Sequence, residues 1–547
     1  MFSQGTPTLN LDFAANEYDF YALDNWKIGR HLTLNYGTRI NHLGWWYNKQ
    51  GNIAIFDPSK YDPTAGIAAY TGIETHANNP SVPLSGYKPV GWQLAPSAGF
   101  AWDVFGKGNT VIRGGFGTNF FRDEGISAGF KLVQNPPLQS FNYFSPGGGL
   151  YLSQLSSYTQ GAALPWPSVA VATDDKMPRT YSYNLTVQQQ IPSGTLVSLA
   201  YVGNRSKYMV GWPNINPVAQ GTETGVDWPG QWMEQYNPYR LYPNIAGIYP
   251  AAHALKSNYN SFQLTASRAK GRINYWVTYT FSKVLGNNSA NSFDLSRTYG
   301  PLPWDRTQAL KISYNVYLPS VSKSHLGNNA VLNGVLDGWQ LSGITEFDAG
   351  APLFTYPSSF TQSSQGYNIA MVGVYNSANP SSQCFQYGQC ALGGTNGGNN
   401  NGGRYIVGTP DETSVPLVVC DPTAHLAAHQ LFNATCFQSP TPGNNGTYRI
   451  PYIHGPKFMN SDLTLFKNFN MGESKNLQFR AEAFNFLNHP LYGFTNVNPF
   501  FGSGANDAAL NLRYENFGAL PTNVGTAGIM TNKFGHRIMQ LALKFYF

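Results

Sequence analysis

The sequence predicts an all-β fold, an antiparallel β-barrel whose wall separates lipid from water. Three observations predict it. Apolar residues recur at every second position in about thirteen segments. Charges are scarce, yet no long apolar run is present. The connections between segments alternate between short and long.

The alternation is clearest at the C-terminus. Met539, Leu541, Leu543, Phe545 and Phe547 fall on one face of an extended strand, and Gln540, Ala542, Lys544 and Tyr546 on the other. Earlier segments repeat the pattern. Leu32, Leu34, Tyr36 and Ile40 alternate with Thr33, Asn35, Gly37 and Arg39. Tyr181, Tyr183, Leu185 and Val187 alternate with Ser182, Asn184, Thr186 and Gln188. Tyr275, Val277, Tyr279 and Phe281 alternate with Asn274, Thr278, Thr280 and Ser282. Further segments centre on Leu264, Ile312, Leu341 and Phe479. Each is close to the ~9–11 residues of a tilted membrane strand. The polar faces carry Asn, Gln, Ser, Thr, Arg and Glu, which require water or dense hydrogen bonding. A wide water-filled lumen supplies it. Trp26, Trp45, Trp46, Trp102, Trp276 and Trp339 cluster near segment ends, as an interfacial aromatic girdle does.

Composition narrows the class. Of 547 residues only 11% are charged, less than half the ~25% usual for soluble chains. Aromatics reach 15% and Gly numbers 57, which favours strands and turns over helices. The net charge of +6 is scattered and leaves no nucleic-acid footprint. Met1-Phe2-Ser3-Gln4-Gly5 is not a basic region followed by an apolar run, so no signal peptide is visible. Walker, zincin and nucleophile-elbow patterns are missing, so no enzyme and no cofactor are expected. Gly114-Gly115-Phe116-Gly117 continues as alternating strand and reads as a crowded wall, not a dinucleotide loop.

Short turns are expected at Ile28-Gly29-Arg30, Gly106-Lys107-Gly108-Asn109, Pro192-Ser193-Gly194, Lys270-Gly271 and Met471-Gly472-Glu473-Ser474. Long loops are expected at 43–94, 122–179, 205–258, 284–305, 350–459 and 488–536, with a medium connection from Pro319 to Leu336. Outer-membrane barrels have short periplasmic turns and long outer loops. The first strand, about Tyr18 to Lys27, then runs inward, as does the last. A self-contained bacterial barrel starts with an outward strand and has an even count. At least one strand is therefore expected upstream of Met1.

The ordered set of motifs carries a resemblance. It comprises Tyr21-Ala22-Leu23-Asp24-Asn25-Trp26-Lys27, Gly99-Phe100-Ala101-Trp102-Asp103, Val111-Ile112-Arg113-Gly114-Gly115-Phe116-Gly117 and Val197-Ser198-Leu199-Ala200-Tyr201-Val202-Gly203. It continues with Tyr279-Thr280-Phe281-Ser282-Lys283, Gly338-Trp339-Gln340-Leu341-Ser342-Gly343-Ile344, the run Phe479 to His489, and the tail. Together they resemble the C-terminal barrel portion of a TonB-dependent outer-membrane transporter. The likeness is to the Oar-like kind, which carries a carboxypeptidase-regulatory-like domain at its N-terminus. Such transporters have a 22-stranded barrel with a plugged lumen. The resemblance therefore implies that residues 1–547 are an incomplete barrel of about 13–14 strands, lacking the plug and TonB box. It implies partners: outer-membrane lipid, the N-terminal plug and strands, the TonB complex through that absent part, and the barrel-assembly machinery. The C-terminal strand, with Phe545 and Phe547, is the expected insertion signal.

Candidate site residues follow. Arg39, Arg113, Arg268, Arg480 and Glu482 are expected to line the lumen or to pair across neighbouring strands. All four cysteines lie in the loop 350–459; their even number points to disulfides, and Cys384–Cys390 with Cys420–Cys436 is one of three pairings they allow. His425 and His429 have a spacing that puts them on one helical face, so Cys420, His425, His429 and Cys436 are an alternative zinc set. Asp123 and Glu124 begin a loop and read as solvated. The Asn/Gly-rich run Gly393 to Gly403 is low-complexity. Trp228-Pro229-Gly230-Gln231-Trp232 and Tyr236-Asn237-Pro238-Tyr239 are able to stack on a flat ligand or to pack the loops. The expected function is ligand uptake across the outer membrane, with the ligand unidentified. The alternative is a passive pore or an adhesin-like surface barrel.

Overall fold

The computed structural model describes residues 2–5, 11–65, 69–122, 132–139, 141–144, 168–172, 176–219, 239–245, 247–287, 295–320, 334–352, 354–355, 368–373, 416–439, 446–448, 453–470, 475–493, 511–514 and 518–547. Thirteen strands join edge to edge in chain order. They are β1 (Glu17–Ile28), β2 (Leu32–Leu43), β3 (Gln93–Asp103), β4 (Thr110–Phe120), β5 (Arg179–Gln190), β6 (Leu196–Gly211) and β7 (Gly247–Arg268). They continue as β8 (Ile273–Asn287), β9 (Gln308–Tyr317), β10 (Trp339–Asp348), β11 (Phe458–Asn470), β12 (Asn476–Phe484) and β13 (Ile538–Tyr546). Every neighbouring pair along this path is antiparallel. Two short pieces extend it: Ser168–Ala172 lies parallel to the start of β7, and Tyr299–Pro301 antiparallel to the end of β8. Among the described residues no helix is long and apolar enough to cross a membrane.

The register sorts side chains into rows. Val187, Leu199, Leu264, Tyr279, Leu310 and Phe347 stand side by side from β5 to β10. One position away, on the opposite face, stand Gln188, Ser198, Thr265, Thr278, Lys311 and Glu346. The strands thus agree on which face is apolar, because a one-residue slip would invert every side chain. The apolar face is bare: Leu185 is 49%, Phe262 44% and Phe281 54% exposed. Moving each such side chain from water into lipid contributes about 1.5–3 kcal/mol.

Short turns gather at one end. Gly194 (φ +80°) and Gly271 (φ +85°) supply the left-handed backbone that their tight turns need. The turn expected at Met471 to Ser474 lies outside the described residues. The sheet is open. Among the described residues β1 and β13 are its two edges, unpaired with each other. With thirteen alternating strands these two edges run in the same direction.

The outer end holds the packed core. Leu43, Trp45, Tyr87, Val90, Met177 and Ala251 form one buried cluster, and Ile53, Val82, Leu132 and Val133 another. Trp45 stacks on Tyr87 (4.6 Å) and on His253 (5.4 Å), so it belongs to this core and not to a girdle. Trp276 is also no girdle residue. Its neighbours Tyr275 and Val277 hold the apolar face, which turns it to the polar one. Trp26, Trp102 and Trp339 do stand on the apolar face near the short turns.

The loop expected over 205–258 is shorter than its alternation suggested. β6 runs to Gly211 and β7 starts at Gly247. Backbone pairing continues beyond the apolar band, where side chains no longer need to alternate and the periodic signal fades.

Candidate functional site

The candidate site is the polar face of this wall and the rim above it. Ion pairs mark that face. Arg39 on β2 grips Asp19 on β1 through Nη2 (2.5 Å) and Nε (3.0 Å), and Asn41 donates to the same carboxylate. Lys311 on β9 meets Glu346 on β10 at 3.3 Å. Arg480 and Glu482, two apart on β12, approach to 3.9 Å. The Arg480 guanidinium also lies over the Phe466 ring at 5.0 Å and donates to Gln478. Arg113 on β4 donates to Gln188 on β5. Four of the five predicted lumen residues therefore share the polar face, and each is tied to a neighbour.

Arg268 does not join them. Its register partner is Tyr275, so it stands on the apolar side, at the tight turn, where Nε donates to the Lys270 carbonyl at 3.1 Å. The alternation Ser261–Ser267 ends one residue before it, which is why sequence reading misplaced it.

Between β2 and β5 the polar face sinks into a recess of about 630 Å³, lined by Asn35, Ser97, Gly99, Arg113, Gly115 and Asn184. Gly99 faces Gly115 across β3 and β4. A Cβ on Gly99 would lie 2.4 Å from the Asn35 amide oxygen. The glycines flatten the wall and leave Asn, Ser and Arg groups around a smooth floor. Such a surface presents donors and acceptors to a solute or to a packed protein domain.

The rim is organised by a residue that sequence reading missed. The Asp305 side chain is fully buried. It accepts the Val284 N–H at 2.7 Å and lies 3.4 Å from Lys283 Nζ. Ser282 Oγ donates to the Arg306 carbonyl at 2.8 Å. Burial of Arg306 lowers its guanidinium pKa, against the opposing pull of Asp348 and Asp305. The available signal was an Asp-Arg pair directly ahead of an alternating strand.

In the loop before β11, Cys420 and Cys436 form a disulfide with a Cα–Cα distance of 4.8 Å. Its sulfurs are thus no zinc thiolates. His425 (φ +54°) and His429 (φ +64°) are in left-handed backbone, so no helix aligns them. His429 instead stacks on Tyr492 at 3.9 Å. Among the described residues no group of three potential metal ligands occurs. Cys384, Cys390, Asp123, Glu124, the run Gly393–Gly403, Trp228–Trp232 and Tyr236–Pro238 lie outside the described residues. At the C-terminus Phe545 and Phe547 stack at 5.9 Å, and Phe547 is 94% exposed.

The family model described as outer membrane beta barrel domain matches residues 1–540. A comparison with curated proteins finds no match. Among solved structures the chain is similar to the ferric-catecholate import receptor Fiu of E. coli K12. The identity is 10% and the TM-score 0.37, covering 98% of this chain and 45% of that one. It is similar also to the ferripyoverdine receptor of the Pseudomonas aeruginosa outer membrane, with 9% identity and TM-score 0.38, covering 99% and 40%. A third is the siderophore receptor PiuA of Acinetobacter baumannii, with 8% identity and TM-score 0.37, covering 98% and 43%. The chain spans less than half the length of each of these three receptors.

Proposed function

Because the chain belongs to the outer membrane β-barrel domain family, we propose that it forms part of the wall of a TonB-dependent receptor that takes up a solute across the outer membrane. The observation that carries this reading is the row-by-row segregation of β5 to β10. An unbroken apolar row faces one way and the row from Gln188 to Glu346 faces the other. A wall of that kind holds a wet interior against hydrocarbon. The outer loops capture the ligand, and the flattened floor around Gly99 and Gly115 seats a plug that precedes the barrel. Further strands complete the wall. The TonB complex acts through that preceding part, and the strand ending in Phe547 is read by the barrel-assembly machinery.

The test has two arms. Expressed in a Gram-negative host, the chain is expected in the outer membrane, with β5–β10 apolar positions accessible to a lipid-phase label and the loop at Cys420 cleaved by protease added outside. Coding sequence for a plug directly upstream of Met1 supports the receptor. A secretion signal joined directly to Met1 overturns it in favour of a passive pore or adhesin-like barrel.

A further inference from the structure

On the apolar side of β5 to β7, above the lipid-facing rows, the side chains change character. Arg179, Lys207 and Lys256 are register partners, one per strand, in a single row. The next row toward the membrane holds Tyr181, Arg205 and Asn258. Below that come Tyr183, Gly203 and Asn260, and then the exposed Leu185, Tyr201 and Phe262.

Like charges set directly opposite one another across a sheet are destabilising. Among the described residues, no carboxylate lies within ion-pair distance of Arg179, Lys207, Lys256 or Arg205. The Arg179 Nε is buried without a hydrogen-bond partner. What holds the cations in place is aromatic. Arg179 lies over Tyr208 (4.7 Å) and Tyr181 (5.8 Å), Lys207 over Tyr181 (6.0 Å), and Lys256 over Tyr299 (5.0 Å). A β-bulge between Lys207 and Met209 places Tyr208 there, at φ +59°, a conformation costly for a bulky residue. Below, a recess of about 230 Å³ is bordered by Arg205, Lys256, Asn258, Asn260, Tyr183 and Tyr299. The arrangement is a preformed cationic cradle.

Height identifies the anion. β5 has 12 residues from its short-turn end to Arg179. That is about 36 Å of strand, or about 28 Å of height at a tilt of ~40°, against ~25 Å for the outward apolar band of a barrel. The cations therefore stand just above hydrocarbon, on the outside of the wall, at headgroup level. We propose that Arg179, Lys207, Lys256 and Arg205 bind the phosphate groups of an outer-leaflet glycolipid headgroup, with the sugar resting on Tyr208, Asn258 and Tyr299. The inference rests on the outer-membrane placement of the wall, not on transport.

The test measures binding of lipid A in mixed detergent micelles to the folded full chain. The triple variant Arg179→Gln/Lys207→Gln/Lys256→Gln is expected to bind about tenfold more weakly or worse, the loss of at least one charge-assisted contact. The charge-matched control Arg30→Gln/Lys107→Gln/Lys270→Gln, in the exposed short turns at the other end, is expected to bind as the parent does. Lipid A stripped of its phosphates is expected to bind the parent chain about tenfold more weakly as well. Equal binding by the triple variant overturns the proposal. So does equal binding of the stripped lipid, which decides alone if the triple variant fails to fold. Displacement of lipid A by inorganic phosphate at millimolar concentration overturns it too, by assigning the cradle to a free anion. Persistence of the lipid under that challenge supports it.

Discussion

Asp305 and Lys283 meet at 3.4 Å where the outermost part of β8 leaves the wall, and the carboxylate is fully buried while the ammonium is half in water. The Lys283 charge is screened. The stabilising contact is the one Asp305 accepts from the Val284 N–H. Asp305→Ala leaves that donor unpaired and is expected to cost about 2 kcal/mol locally. Hydrogen exchange over 282–308 is the measurement. Lys283→Met is expected to change protection there far less, by under about 1 kcal/mol.

Gly37 and Gly117 form a matched pair for a second prediction. A Cβ on Gly37 would lie 2.2 Å from the Ala22 carbonyl oxygen, whereas a Cβ on Gly117 would meet nothing within 4 Å. Gly37→Ala must push β1 away from β2, at a cost of about 1–3 kcal/mol. Gly117→Ala is expected to fall within about 0.5 kcal/mol of the parent. Urea unfolding in lipid micelles compares them, and equal midpoints would contradict the close approach.

The Cys420–Cys436 bridge spans a sequence separation of 16. A loop of that size gains about 3 kcal/mol from closure. Reduction is expected to raise protease cleavage within 416–439, where Phe432 and Phe437 are fully buried. The strand signal in circular dichroism should not move.

Glu74 provides the pH prediction. The Lys60 ammonium, then the Asn79 amide, hold its carboxyl below the ordinary value of 4.5. A depressed carboxylate stabilises at pH above its unfolded value, and the stabilisation is lost as pH falls through the lower folded value. The hairpin pairing Ala54–Phe56 with Ile73–Thr75 should therefore be fully protected at pH 6 and loosen below about pH 4. Glu74→Gln is expected to remove that acid step, as read by hydrogen exchange.

The terminal aromatics give the last prediction. Phe547 is almost wholly exposed and, among the described residues, stacks on Phe545. Its substitution by Ala should leave the stability of folded protein unchanged to within about 0.5 kcal/mol. If the assembly machinery reads this strand, the amount inserted in the outer membrane should still fall severalfold. Unchanged insertion would remove that role.

Much of the wall was legible because lipid on one side and water on the other force a period of two. Leu199, Leu264 and Tyr279 could be placed face by face without coordinates. So could the polar placement of Arg39, Arg113, Arg480 and Glu482. What escaped was whatever the bilayer does not constrain. Strand pairing above the membrane carries no alternation, so β6 and β7 were cut short. Arg268 falls one residue past its repeat and so was assigned to the wrong face. Trp45 has the composition of a girdle residue, yet it packs with Tyr87 and His253, a long-range contact that no local pattern encodes. His425 and His429 were spaced for a helix, but their left-handed backbone is set by the surrounding loop.

The two bare edges have a consequence of their own. Along β1 and β13 about half of the backbone N–H and C=O groups point away from the sheet, and in hydrocarbon each unmatched group costs several kcal/mol. Two rims that run the same way cannot zip to each other antiparallel. An antiparallel ladder between them would need an odd number of further ribbons in the gap. Deprived of them, the protein should seek the rim of another copy and migrate as higher assemblies.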